Sequence, residues 1–350
     1  MIGMAGSVAI VVAGLTAAPL CAQGLPYESC HIKMGEQRAF VAELLSTLRF
    51  PHCAVRKWIL FVPSAPTLPG QGGARSALGF EKLKSEVSTI SDLRFGERQL
   101  LRGVVTDNND PHQLTFKTNY QVTLSARQLV DGASSERVTP LTSEERQRYL
   151  AQSETLRFED PIFQSWLDAK GLRRKQDSDL KFAWRAFRTI RGMYSYKYSA
   201  KQDRRIQKLC EDNSTDCGGL SWLFVGVLRA NGIPARSLVG RWAESGDESG
   251  VSFGNAHVKS EFYAANVGWI PIELSGAVEH KERDSILYFG KDSGNFITFH
   301  VDPDFELDTL DFGKRAVRNL QSPAVWVAGS GNLKDSSETE AWSVKNIPAY

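Results

Sequence analysis

Between Gly35 and Val138 the apolar residues fall in short runs rather than at helical spacing. Trp58 to Val62 and Leu100 to Val105 are compact β-prone stretches, and the run from Leu114 to Val130 alternates. Within it Phe116, Thr118, Tyr120, Val122 and Leu124 share one face, while Lys117, Asn119, Gln121, Thr123 and Ser125 share the other. A period of two marks a strand with one buried face. The pattern predicts a β-rich amino-terminal domain over 25–138. The Pro- and Gly-rich stretch Pro63 to Gly73 reads as a surface loop, and the polar segment Asp131 to Pro140 as the domain boundary.

The period then changes. Thr142 and Glu145, three residues apart, can cap each other's backbone N–H groups at a helix start. Leu180, Ala183, Trp184, Phe187 and Ile190 recur at helical spacing opposite Lys181, Arg185, Arg188 and Arg191, which predicts an amphipathic helix over Asp179 to Arg191. A more apolar helix is expected from Cys217. Leu220, Phe224, Val227 and Leu228 form its buried stripe, Thr215 or Asp216 its N-cap, and Gly232 with Pro234 its stop. Two antiparallel strands follow, from Asn255 to Tyr263 and from Gly268 to Ser275. These elements define a second domain over 139–320. The remaining 321–350 reads as a polar tail, expected to be partly disordered from Gly329 onward.

Composition narrows the classes. With 42% apolar and 23% charged residues in 350, a disordered chain, a collagen and a multi-span membrane protein are all disfavoured. Forty-two Lys and Arg against forty Asp and Glu leave a net charge of +2, so no nucleic-acid partner is expected. Lys170 to Lys208 concentrates thirteen Lys and Arg against three Asp, but acidic runs at Glu211 to Asp216 and Asp302 to Asp311 offset it, and a solvated helix face is the reading taken. There is no Cys-x-x-Cys pair and no His-Glu-x-x-His run, so neither a metal nor another cofactor is expected.

Met1 to Tyr27 carries no charged side chain, and its apolar run, Val8 to Ala18, is too short for a comfortable membrane span. Ala22-Gln23-Gly24 supplies a small-x-small pattern. An export signal over 1–24 is the expectation, with a secreted or periplasmic location and membrane contact only through an uncleaved signal. Disulfides are permitted in such a compartment. Cys30-His31 and His52-Cys53 lack the spacing of a zinc finger, so a Cys30–Cys53 disulfide or two buried thiols is preferred to a metal site.

Candidate chemistry lies in the second domain. Cys217 falls at the first turn of its helix, where unpaired N–H groups favour a thiolate, the form that attacks carbonyl carbon. Gly218 and Gly219 remove side chains beside it, so a substrate backbone can come close. In the two strands, pairing Phe262 with Gly268 sets His257 opposite Glu273 with Cβ atoms about 5 Å apart, near enough for the carboxylate to fix the imidazole tautomer. A slip of one residue would place them on opposite faces.

Three segments carry a resemblance: Asp216-Cys217-Gly218 with the apolar helix and Leu228-Arg-Ala-Asn-Gly-Ile-Pro-Ala-Arg236 after it, His257 with Glu261, Phe262 and Tyr263, and Gly268-Trp269-Ile-Pro271-Ile-Glu273. In this order they resemble the transglutaminase-like superfamily, over about Lys181 to Ser275. The resemblance implies an α+β fold with a papain-like core, a nucleophile helix packed on an antiparallel sheet, preceded here by the β-rich domain. It implies Cys217 as nucleophile, His257 as general base and Glu273 as orienting acid. The activity it implies is acyl transfer on the amide bonds of a protein or peptide substrate through a Cys-thioester, with hydrolysis and cross-linking both open.

Two positions depart from the family pattern. Lys259 stands where many members have Trp, and Glu273 where the family has Asp. They keep a second class in play, a binding or structural protein that retains the fold without the chemistry. The backbone N–H of Cys217 or Gly218 is the physical candidate for the oxyanion donor, with Tyr196 and Trp222 as side-chain candidates. Glu244 to Gly250 reads equally as a rim of the cleft or an ordinary solvent loop.

Overall fold

A computed structural model describes residues 29–81, 83–133, 137–244 and 255–347. The expected export signal and most of the Glu244 to Gly250 segment lie outside these residues. Six strands come first: β1 (Cys30–Arg49), β2 (Cys53–Pro63), β3 (Gln71–Gly79), β4 (Lys84–Ser91), β5 (Gln99–Asp107) and β6 (Gln113–Asp131). Then follow α1 (Ser143–Arg148), α2 (Pro161–Ala169), α3 (Asp179–Met193), β7 (Ser195–Tyr196), α4 (Ile206–Leu209), β8 (Ser214–Thr215) and α5 (Cys217–Ala230). The chain continues through β9 (Ala235–Trp242), β10 (Ala256–Ala264), β11 (Gly268–Ile272), α6 (Leu274–Glu279), β12 (Lys291–Asp292) and β13 (Phe296–Val301). It ends with β14 (Phe305–Asp308), β15 (Lys314–Val317), β16 (Ala324–Gly331) and β17 (Ser337–Ile347).

Two sheets build the amino-terminal part. One has the order β12-β6-β1-β17 with β3 also on β6, and the other β16-β2-β5-β4. They bury Leu48, Trp58, Leu60, Leu114 and Phe116 in a shared cluster. The alternation read in β6 is real: Phe116, Thr118, Tyr120, Val122 and Leu124 are all buried. Thr142 and Glu145 form the expected capping box.

The second part is an antiparallel sheet, β11-β10-β9-β13, with helices packed on it. Every residue of α5 from Gly218 to Arg229 is buried, not only the expected stripe, because α3, α4 and α6 cover the side that β9 and β10 do not. Such a helix is apolar all round, which is why its periodicity is weaker than that of α3. The core sheet also meets the long β6. Tyr120 stacks on Phe299 of β13 with ring centroids 4.4 Å apart, and Trp342 of β17 packs beside both.

One expectation is corrected here. The carboxy-terminal stretch is not a disordered tail: β17 pairs with β1 along its whole length and β16 pairs with β2. Its polarity reflects an edge strand with one wet face. Its inner face is anchored, since Glu340 is ion-paired with buried Arg241 of β9 and Trp342 donates its indole N–H to the Trp242 carbonyl at 2.9 Å. Of the two readings left open for Cys30 and Cys53, the structure has the thiols, with Cys53 buried and Cys30 half-buried. Cys30 opens the twenty-residue β1 and Cys53 opens β2 after the turn at its far end, so the thiols lie about 60 Å apart and both are free.

No helix of the described residues is long and apolar enough to cross a membrane, and among them no group of three His, Cys, Asp or Glu could hold a metal. Part of the basic stretch from Lys170 to Lys208 is used internally, in pairs such as Arg173–Asp168, Arg174–Asp179 and Arg185–Asp177.

Candidate active site

Cys217 is the first residue of α5. Its predecessor Asp216 caps the helix, accepting from the Gly219 N–H at 3.1 Å, and is itself held by Arg204, whose Nε lies 2.9 Å from both carboxylate oxygens. The helix stops as expected: Gly232 takes φ 74°, and the Ile233 N–H bonds back to Leu228. Gly219 has a different reason from the one expected. A Cβ there would fall 2.0 Å from Thr215 Oγ1, so this glycine serves the packing of α5 on Thr215 rather than the approach of a substrate.

The short parallel pair of β7 and β8 sets Tyr196 beside Thr215. From there the Tyr196 side chain lies beside Cys217, and burial together with the neighbouring Cys217 and Asp216 charges pushes its hydroxyl pKa up. The phenol therefore stays protonated and is the donor toward sulfur. Trp222 is 1% exposed, and its indole N–H is buried without a partner among the described residues.

His257 and Glu273 are brought together, although not by the expected register. Phe262 pairs with Ile270 and Ala264 with Gly268, two residues off the predicted alignment. The reason is a tighter turn: Asn266 at φ 65° and Gly268 at φ 90° close the hairpin with fewer residues than the sequence suggested. A slip of two keeps every side chain on its face. Glu273 follows β11 directly and caps α6. Its oxygens lie 3.1 and 3.0 Å from His257 Nε2, and one also accepts from Ser275 Oγ at 2.6 Å and the Gly276 N–H at 3.3 Å. With Nε2 taken by the carboxylate, Nδ1 is the nitrogen left to face Cys217, whose neighbouring sulfur favours the charged imidazole.

The electrostatics follow from this order. Burial alone would lower the His257 pKa, but the Glu273 carboxylate and then Cys217 outweigh it and raise it to about 10. Burial works against the Glu273 charge, yet His257, Lys259 and Ser275 bring its pKa down to about 2. The ring is also held by its faces and its backbone. Trp242 stacks on it at 4.7 Å, and Gln321 Nε2 donates to the His257 carbonyl at 2.9 Å.

The structure thus brings all three predicted residues together: Glu273 is hydrogen-bonded to His257, and Cys217 is the next group that acts on the imidazole. Sequence reasoning missed Trp242, Gln321 and Arg204, and it quoted Ser275 only as the end of a strand. Ser275 is two positions from Glu273 and could have been read as an Asx-like cap partner. The others come from distant segments with no local signal. A cavity of about 730 Å³ lies elsewhere, near Arg236, Trp269 and Tyr149, and none of the three lines it.

Residues 169–274 match the Transglutaminase-like superfamily. This segment is a transglutaminase-like core. Its helix, sheet and site are those described above. A candidate cysteine protease from Cytophaga hutchinsonii has a similar structure, with a TM-score of 0.56 at 12% identity over 91% of this chain and 94% of that one. At that identity the likeness establishes the fold. The periplasmic domain of TgpA from Pseudomonas aeruginosa, with a TM-score of 0.36 at 15% identity over 69% of this chain and 90% of that domain, is too distant in shape to add an argument. An uncharacterized protein of Haemophilus influenzae is 28% identical over 26% of this chain and 32% of its own length. The chain therefore spans about a third of the curated relative that it matches.

Proposed function

We propose that the transglutaminase-like core is a cysteine acyl transferase acting on amide bonds. The supporting observation is the chain from Cys217 through His257 to Glu273, with both Glu273 oxygens within 3.1 Å of Nε2. Sulfur attacks the amide carbonyl and forms the C–S bond. The carbonyl electrons move to oxygen, where the N–H of Cys217 or Gly218 and the Tyr196 hydroxyl are the donors at hand. His257 gives its proton to the leaving amine as the C–N bond breaks, and a thioester remains. Water or a primary amine then attacks the thioester carbonyl and gives its proton to His257, the C–S bond breaks, and Cys217 leaves as the thiolate beside the imidazolium. Glu273 stays ionised throughout and fixes the ring.

The substrate class in this reading is a protein or peptide, and the uncharged apolar run of the amino terminus supports an extracytoplasmic place for the reaction. The test is turnover of a peptide panel by the full chain and by Cys217→Ser, followed as released amine or ammonia with and without added primary amine. Cys217-dependent release supports the enzyme, and incorporation of the amine into product shows transfer beside hydrolysis. No Cys217-dependent turnover, with selective retention of a peptide, would favour the binding protein.

A further inference from the structure

The side chains around Glu273 carry an inference that rests on the triad reading above and deepens it. The two departures from the family pattern, Lys259 and Glu273, are neighbours. Continuing the β10–β11 ladder past Ser260 and Ile272 sets one against the other. Lys259 is 5% exposed, and its ammonium lies 4.4 Å from the centroid of Trp242, the ring stacked on His257, and 5.0 Å from that of Phe296. It is 3.6 Å from Asp292 Oδ1. Asp292 is fixed in turn, because β12 pairs with β6, the Gly294 N–H donates to Oδ1 at 2.8 Å, and Arg127 Nη2 stands 3.6 Å from Oδ2. Beyond Arg127 come Glu261 and Arg236, both buried.

Charges therefore alternate from the imidazole to the amino-terminal sheet: His257, Glu273, Lys259, Asp292, Arg127, Glu261, Arg236. A buried ammonium is costly to desolvate, and tying β12 to the core sheet needs only a neutral polar pair. What a cation adds at this position is a charge facing Glu273. The other groups on that carboxylate are His257, Ser275 and the Gly276 N–H. Those on Lys259 are Asp292 and the rings of Trp242 and Phe296, with Glu273 opposite it where the ladder is continued. The Lys259 charge helps to hold the Glu273 carboxyl ionised.

We propose that Lys259 is a positioning residue for the triad acid: it anchors the longer, more freely rotating Glu273, and Asp292, delivered by the amino-terminal sheet, anchors Lys259. The two departures are then a matched pair, the cation restraining the additional rotatable bond that Glu has over Asp. The amino-terminal sheet becomes part of the catalytic machinery through one carboxylate.

The experiment is the pH dependence of Cys217 alkylation by iodoacetamide in the full chain, with melting temperature measured alongside, for the unaltered protein and for Lys259→Met, Lys259→Arg and Asp292→Asn. Without the anchor the imidazolium loses part of its partner. In Lys259→Met the acid limb is expected to move up by about one pH unit, and the neutral rate to fall about tenfold. Lys259→Arg restores the limb, and Asp292→Asn lies between. A folded Lys259→Met with the unaltered profile overturns the proposal, as does a loss that Lys259→Arg does not rescue. If Lys259→Met does not fold, Asp292→Asn decides, and an unaltered profile there overturns it. Alkylation of the unaltered protein that is indifferent to His257→Ala would instead sink the triad reading itself, before Lys259 enters.

Discussion

At the scale of single residues, the site depends on a carboxylate kept charged in a buried place. Glu273→Gln keeps the shape and removes the charge, so the Cys217-dependent rate should fall about a hundredfold or more with little loss of fold. Glu273→Asp tests length, because shortening withdraws both oxygens from Nε2, and a loss of about tenfold is expected. Stability should depend on pH in a defined sense. His257 is raised from 6.5 to about 10, so its contribution is complete below 6.5 and is lost as pH rises through about 10. Glu273 is lowered from 4.5 to about 2, so its contribution is complete above 4.5 and is lost as pH falls through about 2. The melting-temperature difference between the unaltered protein and His257→Ala should be widest between pH 4.5 and 6.5. A difference that does not vary with pH would contradict the ion pair.

At the scale of elements, what was local was legible. The capping box of α1, the face of α3 and both ends of α5 follow from residues within one or two turns of each other, and the sequence shows them directly. The β10–β11 hairpin was legible in parity but not in register, because the left-handed Asn266 shortened the turn and no pattern announces that choice. Trp242 and Gln321 were invisible, since sheet pairing and a remote loop bring them to His257. The β9–β13 pair offers a test of the scaffold. A Cβ at Gly240 would sit 1.9 Å from the Ile297 carbonyl oxygen, so Gly240→Ala must push the strands apart. A loss of about 3 kcal/mol is expected from the denaturant midpoint. A change below about 0.5 kcal/mol would show that the close approach is not as described.

At the scale of the whole molecule, the chain is interleaved rather than laid out domain after domain. The tail read as disordered closes both amino-terminal sheets, and its Glu340 and Trp342 reach the core sheet beside the site. Its alternation of Glu340, Trp342 and Val344 was present in the sequence but was masked by the polar outer face. Ending the chain after Leu320 should leave β1 and β2 with open edges and Arg241 without its carboxylate. Low soluble yield and loss of a single cooperative melt are expected. A soluble, cooperatively melting fragment would show that these strands are dispensable.

The central claim is that Cys217 is activated by His257, and selective alkylation tests it most directly. With iodoacetamide at mildly acidic pH, mapped by peptide, Cys217 should react well ahead of Cys30, Cys53 and Cys210, and His257→Ala should abolish the preference. Equal labelling of Cys217, Cys30, Cys53 and Cys210, or a preference that survives His257→Ala, would contradict it.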